Sequence, residues 1–494
     1  MMHIDEKRPN ILVIMTDQHS RHFLGSYGND LVRTPNLDRL AGEGMRYTDA
    51  YTPAPLCVPG RMSFLTSMTP SRNQVWNNNH ILNSGIPTWA TLLSTSGYET
   101  ALLGRMHFSD IDQLHGFENR PVGERQAGPV GFSQKGGPFW TRFPGSTSGQ
   151  SRASVEIAGK GHTHYQWSDE ERTRKACEWL TEKAGYGERP FAAVIGYVLP
   201  HCPFIAPKDL FEYYYDKTDI PEAEADQPAT ITRYRDKRGI LEPLSPERIR
   251  VARAAYYGLC EHVDSLIGKV LDTLDETGLS QNTVVIYTSD HGELAGEHGC
   301  WWKSNYYEGS VGVPMIARWP GVIEPGSVSA NVCNLMDIGP TLAEIAGTSF
   351  PYSVDGRSML KIMTDGNDES WVDQTTSELA DFNGGHFASR MVRKGPWKLW
   401  VYGDEENLPP ALFNLEDDPD ELNDLALDPA YKETCEELQK IAYDGWEPDD
   451  VIEKSKIYWD YFSLLRKWGQ SVDPEAPYAL EYPSDDYESD VELL

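Results

Sequence analysis

Long hydrophobic runs are missing from this chain of 494 residues. The apolar stretches ILVIM and FAAVIGYVL fall well short of the roughly 20 residues that span a bilayer. The first residues, MMHIDEKRPN, are polar and lead straight into ILVIM, so no targeting segment is visible and a cytoplasmic location is expected. Cysteine is scarce. There are seven, an odd number, scattered along the chain with no C-x-x-C pair. That argues against a disulfide framework and for reduced, mostly structural thiols. Positive charge is also short: 44 Lys and Arg stand against 75 Asp and Glu, a net charge of −31. Such a chain is a poor partner for nucleic acid or an anionic membrane. Any site for an anion has to build its own local positive field. No internal repeat is found.

What is present is enough apolar residue, 39%, for a large core and more than one domain. Short apolar runs alternate with helical patterns. Strands are expected at 10–16, 98–104, 191–199, 282–289 and 313–319, each rich in Val, Ile, Tyr or Leu. Helices are expected at 34–44, at 168–185 with acids at its front, and from Pro246 onward. In the last, Val251, Ala255, Leu259, Val263, Leu266, Val270 and Leu274 share one face. This alternation predicts an α/β fold, a large mainly parallel sheet sandwiched by helices. Residues 118–167 break the rhythm with Gly, Ser, Pro and aromatics, as a binding loop or a disordered segment would. From about 376 short antiparallel strands and a helix near 431–442 take over. The expected division is an α/β domain over 1–375 and a smaller α+β domain with an acidic tail over 376–494. The tail, with Tyr478, Tyr482 and Tyr487, is either a contact between copies or a frayed end.

Polar residues gather directly after the strands. Asp17 follows the first, Arg105 and His107 the second, His201 the third, and Asp290 and His291 the fourth. In a parallel sheet these strand ends share one edge, where ligands bind. Asp17, Asp290 and His291 make a candidate divalent-metal cluster. Carboxylates suit Ca²⁺, Mg²⁺ or Mn²⁺, and imidazole tilts the choice towards Mn²⁺ or Zn²⁺.

The stretch PLCVPGRMSF, residues 55–64, carries C-x-P-x-R. A helix starting near Pro59 would set Cys57 at its N-terminus, where unpaired N–H groups favour an anion. Arg61 would face the same side. This is a place to attack a tetrahedral oxyanion. Beside a hard metal an oxygen nucleophile suits that task better than a thiolate, which suggests that Cys57 does not stay a cysteine.

At these residues the chain resembles the type I sulfatase family of the alkaline-phosphatase superfamily. PNILVIMTDQ, the region TPNLDRLAGEGMRYTDAYTPAPLCVPGRMSFLTS, GRMHF, LPHCPF, YTSDHGELAGEHGCWWKSNYYEGSVGVPMI and ALFNLEDDPDELNDLA all match its pattern. GRMHFSDIDQLHGFENR is similar to the choline-sulfatase branch, which shares an Asp-His metal pair with phosphonate monoester hydrolases. Three positions depart from the common pattern. Gln18 stands where most sulfatases have a second Asp, His291 where many have Asn, and Arg105 where Lys is usual.

The resemblance implies a sulfuric ester hydrolase in which a formylglycine-generating enzyme converts Cys57 to formylglycine. It implies one divalent cation, Ca²⁺ first, with Mn²⁺ or Mg²⁺ as alternatives, held by Asp17, residue 57, Asp290 and His291. Arg61, Arg105 and Lys303 would steady the sulfate oxygens, and His201 or Lys303 would protonate the leaving alcohol. His107 would take a proton from residue 57, and Asn78 would contact the oxyanion. The substrate is expected to be a small organic or carbohydrate sulfate ester. A choline ester would need an aromatic cage, for which Trp140 and Trp167 are candidates; a sugar could use Glu378 or His386. The rival is a phosphonate monoester or phosphodiester hydrolase with the same nucleophile.

Overall fold

The computed structural model describes residues 8–124, 149–221, 227–380, 387–404, 408–472, 478 and 490–494. Its centre follows from the first strand. Asn10–Asp17 is apolar without a break from Ile11 to Met15. A continuous apolar strand suits a sheet covered on both faces. Ile11, Val13 and Met15 join the core on one face, and Leu12 and Ile14 join the core on the other.

This strand lies between Thr283–Ser289 and Phe191–Pro200, parallel to both. Glu99–Gly104 and Asn119–Val122 follow outward, also parallel. On the far side Met315–Arg318 runs antiparallel to Thr283–Ser289 and pairs with Met45–Tyr47, and Ser327–Ser329 closes the eight-stranded sheet. The fold is thus the expected α/β type, with one reversed strand inside a mainly parallel sheet. The helix Pro246–Glu276 covers one face and buries the whole stripe from Val251 to Leu274. On the other face, all ten residues of the helix Cys57–Thr66 are buried.

Two helix expectations need correction. The helix placed at 168–185 begins at His164, behind a capping box of Thr163 and Gln166. Its first turn therefore holds no acid, and the acids do not serve the dipole. Asp169 instead takes the backbone N–H groups of Val198 at 3.0 Å and Leu199 at 2.8 Å. The helix expected near Pro59 begins at Cys57 itself. Of the irregular stretch, Asn119–Val122 is a strand and Arg152–Glu156 a helix. Trp140 lies outside the described residues.

Beyond it, Gln374–Ala380, Ala388–Lys394, Trp397–Tyr402 and Ala411–Asn414 form an antiparallel sheet. Lys432–Tyr443 packs on it, and Pro448–Val472 adds a long helix that the sequence reading did not include. The sheet is tied to the short helix Glu308–Val311 through buried charge: Lys398 Nζ donates to Glu308 Oε1 at 2.7 Å. Among the described residues no helix is long and apolar enough to cross a membrane, and all seven cysteines are free. Tyr478 is exposed, whereas Tyr482 and Tyr487 lie outside the described residues. The segment Glu492–Leu493 pairs with Gly159–Lys160.

Candidate active site

Strand register sets the site. Asp17 pairs with Pro200, Thr16 with Ser289, and Gly104 with Gly196. His201, Asp290 and Arg105 each come one residue later. The four strand ends therefore deliver Asp17, Arg105, His201 and Asp290 to one edge of the sheet.

The helix Cys57–Thr66 points its N-terminus at that edge. Leu56 is extended and Cys57 is the first helical residue. No side chain of the helix's own cap residue bonds its first N–H groups. Asn78 Oδ1 takes one of them, accepting from Val58 N at 2.9 Å. Gly60 allows the close approach: a Cβ there would sit 3.0 Å from the Asp290 carbonyl and 3.1 Å from those of Ala54. Arg61, one turn along, is fully buried. Its Nε donates to Asp290 Oδ2 at 2.7 Å and its Nη2 to Asp17 Oδ2 at 3.3 Å.

Asp17, Cys57, Asp290 and His291 meet as one buried cluster, with a ligand atom from each within 4.8 Å of the others. Cys57 Sγ lies 3.3 Å from His291 Nε2 and 3.6 Å from Asp17 Oδ1. His291 Nδ1 faces the Gly292 carbonyl at 3.0 Å. A carbonyl only accepts, so Nδ1 carries the hydrogen and Nε2 turns a lone pair to the cluster. Two carboxylates, an imidazole nitrogen and residue 57 form a donor set that fits a divalent cation of the Ca²⁺ to Mn²⁺ range.

Three cations surround these acids. Arg105 Nε donates to Asp17 Oδ2 at 2.7 Å, and Lys303 Nζ donates to Gln18 Oε1. Burial alone would raise the Asp17 carboxyl. Arg105, His201, Arg61 and Lys303 outweigh it and hold the group well below the usual carboxylate range. Burial and the Lys303 charge push the His201 imidazole below its ordinary value, and Cys57 is among its hydrogen-bonding partners. His201 Nδ1 lies 2.6 Å from the Cys202 carbonyl, which leaves Nε2 for the site. Burial pushes His291 down to about 4.

His107 is held well down by burial and by Arg105. Its Nδ1 lies 2.8 Å from Arg105 Nη2. A guanidinium only donates, so that bond occupies the lone pair a base would use, and Nε2 carries the hydrogen of the neutral ring.

Several partners were not found in the sequence. Gln18 bridges Lys303 to Glu293, which also accepts from Ala295 N at 2.7 Å and Trp302 N at 2.6 Å. Burial raises Glu293 to about 7. Glu124 takes the backbone N–H of His107 at 2.6 Å and lies 3.4 Å from Arg105 Nη1. Gln18 and His107 both have left-handed backbone, with φ of 70° and 62°. Such φ values are rare outside glycine and tend to occur where a site re-aims a side chain.

The expected substrate contacts fare unevenly. Trp167 packs on His164, at 5.1 Å between ring centroids, while Tyr165 is the ring beside His201 at 6.2 Å. Glu378 is buried and engaged by Ser71 N at 3.0 Å and Arg390 Nη2 at 3.1 Å, so it is corrected from a sugar contact to a structural acid. His386 lies outside the described residues.

Comparison with known proteins finds relatives over most of the chain. Residues 9–348 match the family described as Sulfatase, and residues 296–444 match "N-sulphoglucosamine sulphohydrolase, C-terminal". A choline-sulfatase of Rhizobium meliloti (strain 1021) is 32% identical over 443 residues, 85% of this chain and 83% of that protein. An arylsulfatase of Clostridium perfringens (strain 13 / Type A) is 30% identical over 88% of this chain and 93% of its own length. The fold is shared with a phosphonate monoester hydrolase of Agrobacterium radiobacter, at a TM-score of 0.73 and 22% identity, covering 88% of this chain and 94% of that one.

Proposed function

The chain belongs to the sulfatase family, the hydrolases of sulfuric esters, and from that premise we propose that it cleaves a small organic or carbohydrate sulfate ester at residue 57. The observation that carries this reading is the buried meeting of Asp17, Asp290 and His291 with Cys57 at a helix N-terminus, ringed by Arg61, Arg105 and Lys303.

Cys57, once converted by a formylglycine-generating enzyme, supplies an oxygen nucleophile in place of its sulfur. A divalent cation held by Asp17, Asp290, His291 and residue 57 would lower the pKa of a nearby hydroxyl and offset the negative charge of the ester. Ca²⁺ is the first choice, with Mn²⁺ or Mg²⁺ as alternatives. Arg61 already gives four of its five N–H donors to Asp290, Asp17 and two carbonyls, so its part is to fix the two carboxylates and the helix start. Lys303, whose described hydrogen bond goes to the neutral Gln18, and Arg105, which keeps N–H donors beyond those on Asp17, Glu124 and His107, steady the sulfate oxygens. Asn78, its Oδ1 occupied by Val58 N, offers its amide hydrogens to an oxyanion. His201 acts as the acid only in its protonated form, which burial and the Lys303 charge disfavour at rest; in that form it keeps Nδ1–H on the Cys202 carbonyl and donates from Nε2 to the departing alcohol. His107 offers Nε2–H to an oxygen. To take a proton from residue 57 instead, it must first release Arg105.

The test is turnover of 4-nitrophenyl sulfate by protein made alongside a formylglycine-generating enzyme, before and after chelation. Turnover that chelation stops and a divalent salt restores supports the reading. Absence of turnover in the matured, metal-replete protein rejects it. A second reading, a phosphonate monoester hydrolase, draws on the Asp290–His291 pair and is tested beside it with an aryl phosphonate monoester. Faster turnover of the phosphonate would make that the main activity.

A further inference from the structure

A chain with a net charge of −31 concentrates positive charge in one place beside the site. Between Arg233 and Arg238 stand Arg233, Arg235, Lys237 and Arg238, against the single acid Asp236. Arg233, Lys237 and Arg238 line one cleft. No carboxylate is among its described lining residues.

The cleft is lined by the chain neighbours of two site residues. One wall includes Leu56, next to Cys57, and Ser304, next to Lys303. The facing wall comes from the C-terminal sheet and includes Phe387 and Tyr402. The Arg233 guanidinium stands 4.9 Å from the Phe387 ring centroid, and among the described residues no hydrogen bond or ion pair engages it. It is half-buried all the same. Arg238 donates to Gln150 Oε1 at 3.3 Å and 3.2 Å, and the same oxygen accepts from Ser304 Oγ at 3.2 Å. A polar thread thus runs from Arg238 to the neighbour of Lys303.

A half-buried guanidinium held in place by an aromatic ring, with no carboxylate among the described residues to meet it, is prepared for an anionic group with two oxygens. We infer that this cleft binds a second anionic group on the alcohol portion of the substrate, a carboxylate or a further sulfate, as an acidic saccharide carries. The inference rests on the sulfate-ester reading and narrows it. Phe387 and Tyr402 give the sugar ring apolar surface, and the three cations disfavour a quaternary ammonium ester.

The test is inhibition of 4-nitrophenyl sulfate turnover by four compounds: a hexose monosulfate, a hexose disulfate, a sulfated hexuronate and choline sulfate. At least one dianion is expected to inhibit at a concentration about tenfold or more below the monosulfate, with choline sulfate the weakest. Which dianion shows the advantage tells carboxylate from sulfate. The double variant Arg233→Gln/Arg238→Gln is expected to lose most of that advantage, and Arg233→Gln alone serves if the pair does not fold. Equal inhibition by monosulfate and dianions, an advantage that survives the substitutions, or choline sulfate as the best inhibitor overturns the inference. Failure of the sulfate-ester reading looks different: no 4-nitrophenyl sulfate turnover at all. The same compounds are then compared by calorimetric titration, and dianions that bind no tighter than the monosulfate reject the cleft by itself.

Discussion

Cys57 Sγ lies 3.3 Å from His291 Nε2, although 234 residues separate them in the chain. The strand Thr283–Ser289 brings one and the helix Cys57–Thr66 the other. The pair joins the nucleophile position to the metal-ligand set. Cys57→Ala is therefore expected to abolish turnover of every sulfate ester. Removing one small buried side chain costs about 1 kcal/mol of stability, so the thermal midpoint stays within a few degrees. Retained turnover on 4-nitrophenyl sulfate contradicts the assignment.

Arg61 is fully buried and bridges Asp17 and Asp290, so its guanidinium fork is needed rather than its charge. A lysine ammonium cannot reach both carboxylates and the Thr16 and Arg105 carbonyls together. Arg61→Lys keeps the charge but leaves buried acceptors unpaired, and is expected to destabilise the fold by about 1–3 kcal/mol. Denaturant unfolding measures it. A loss within experimental scatter of zero means the bridge does not organise the site.

His201→Ala is expected to slow esters of poorly leaving alkyl alcohols by about 10²–10⁴-fold, the span of general acid catalysis. Esters of 4-nitrophenol leave without a proton and lose far less. Steady-state rates on both classes decide it. Equal losses show that His201 does not protonate the alcohol.

His80 provides the pH test of the fold beside Asn78. Trp76 N donates to its Nδ1 at 3.2 Å, and its ring lies 5.2 Å from Tyr458 on the long C-terminal helix. Burial pushes its pKa down to about 4. Unfolded histidine binds a proton below about 6.5 and the folded one does not until about 4. Stability is thus fully present above 6.5 and lost as pH falls through 4, by about 3 kcal/mol for this one group. Unfolding free energies of the parent and His80→Gln, measured across that window, should converge as pH falls. Parallel curves exclude His80 as the source.

The parts of the site legible in the sequence are those with a local signal. Asp17, Arg105, His201 and Asp290 each follow an apolar strand, and parallel pairing gathers them without further information. C-x-P-x-R marks its own helix start. A divalent-metal cluster was legible in Asp17, Asp290 and His291 themselves, whereas residue 57 as a ligand, the preference for Ca²⁺ and formylglycine came from the resemblance. Glu124 and Glu293 were missed, and Gln18 was noted only as a departure from the family pattern, because their roles exist only across contacts between distant segments. The left-handed backbone at Gln18 and His107 leaves no trace in composition. The early start at His164 did have a signal: Thr163 and Gln166 form a capping box, overlooked in favour of the acids behind them. The helix Pro448–Val472 was hidden because Ile457, Tyr461 and Leu464 are exposed, which blurs its inward face.

The central claim is that residue 57 acts through oxygen. The mass of the tryptic peptide from Tyr47 to Arg61, YTDAYTPAPLCVPGR, tests it in protein produced with a formylglycine-generating enzyme. The peptide is expected to have lost one sulfur and two hydrogens and gained one oxygen. A peptide that keeps its thiol in such a host removes the nucleophile, and with it the proposed route of sulfate-ester hydrolysis.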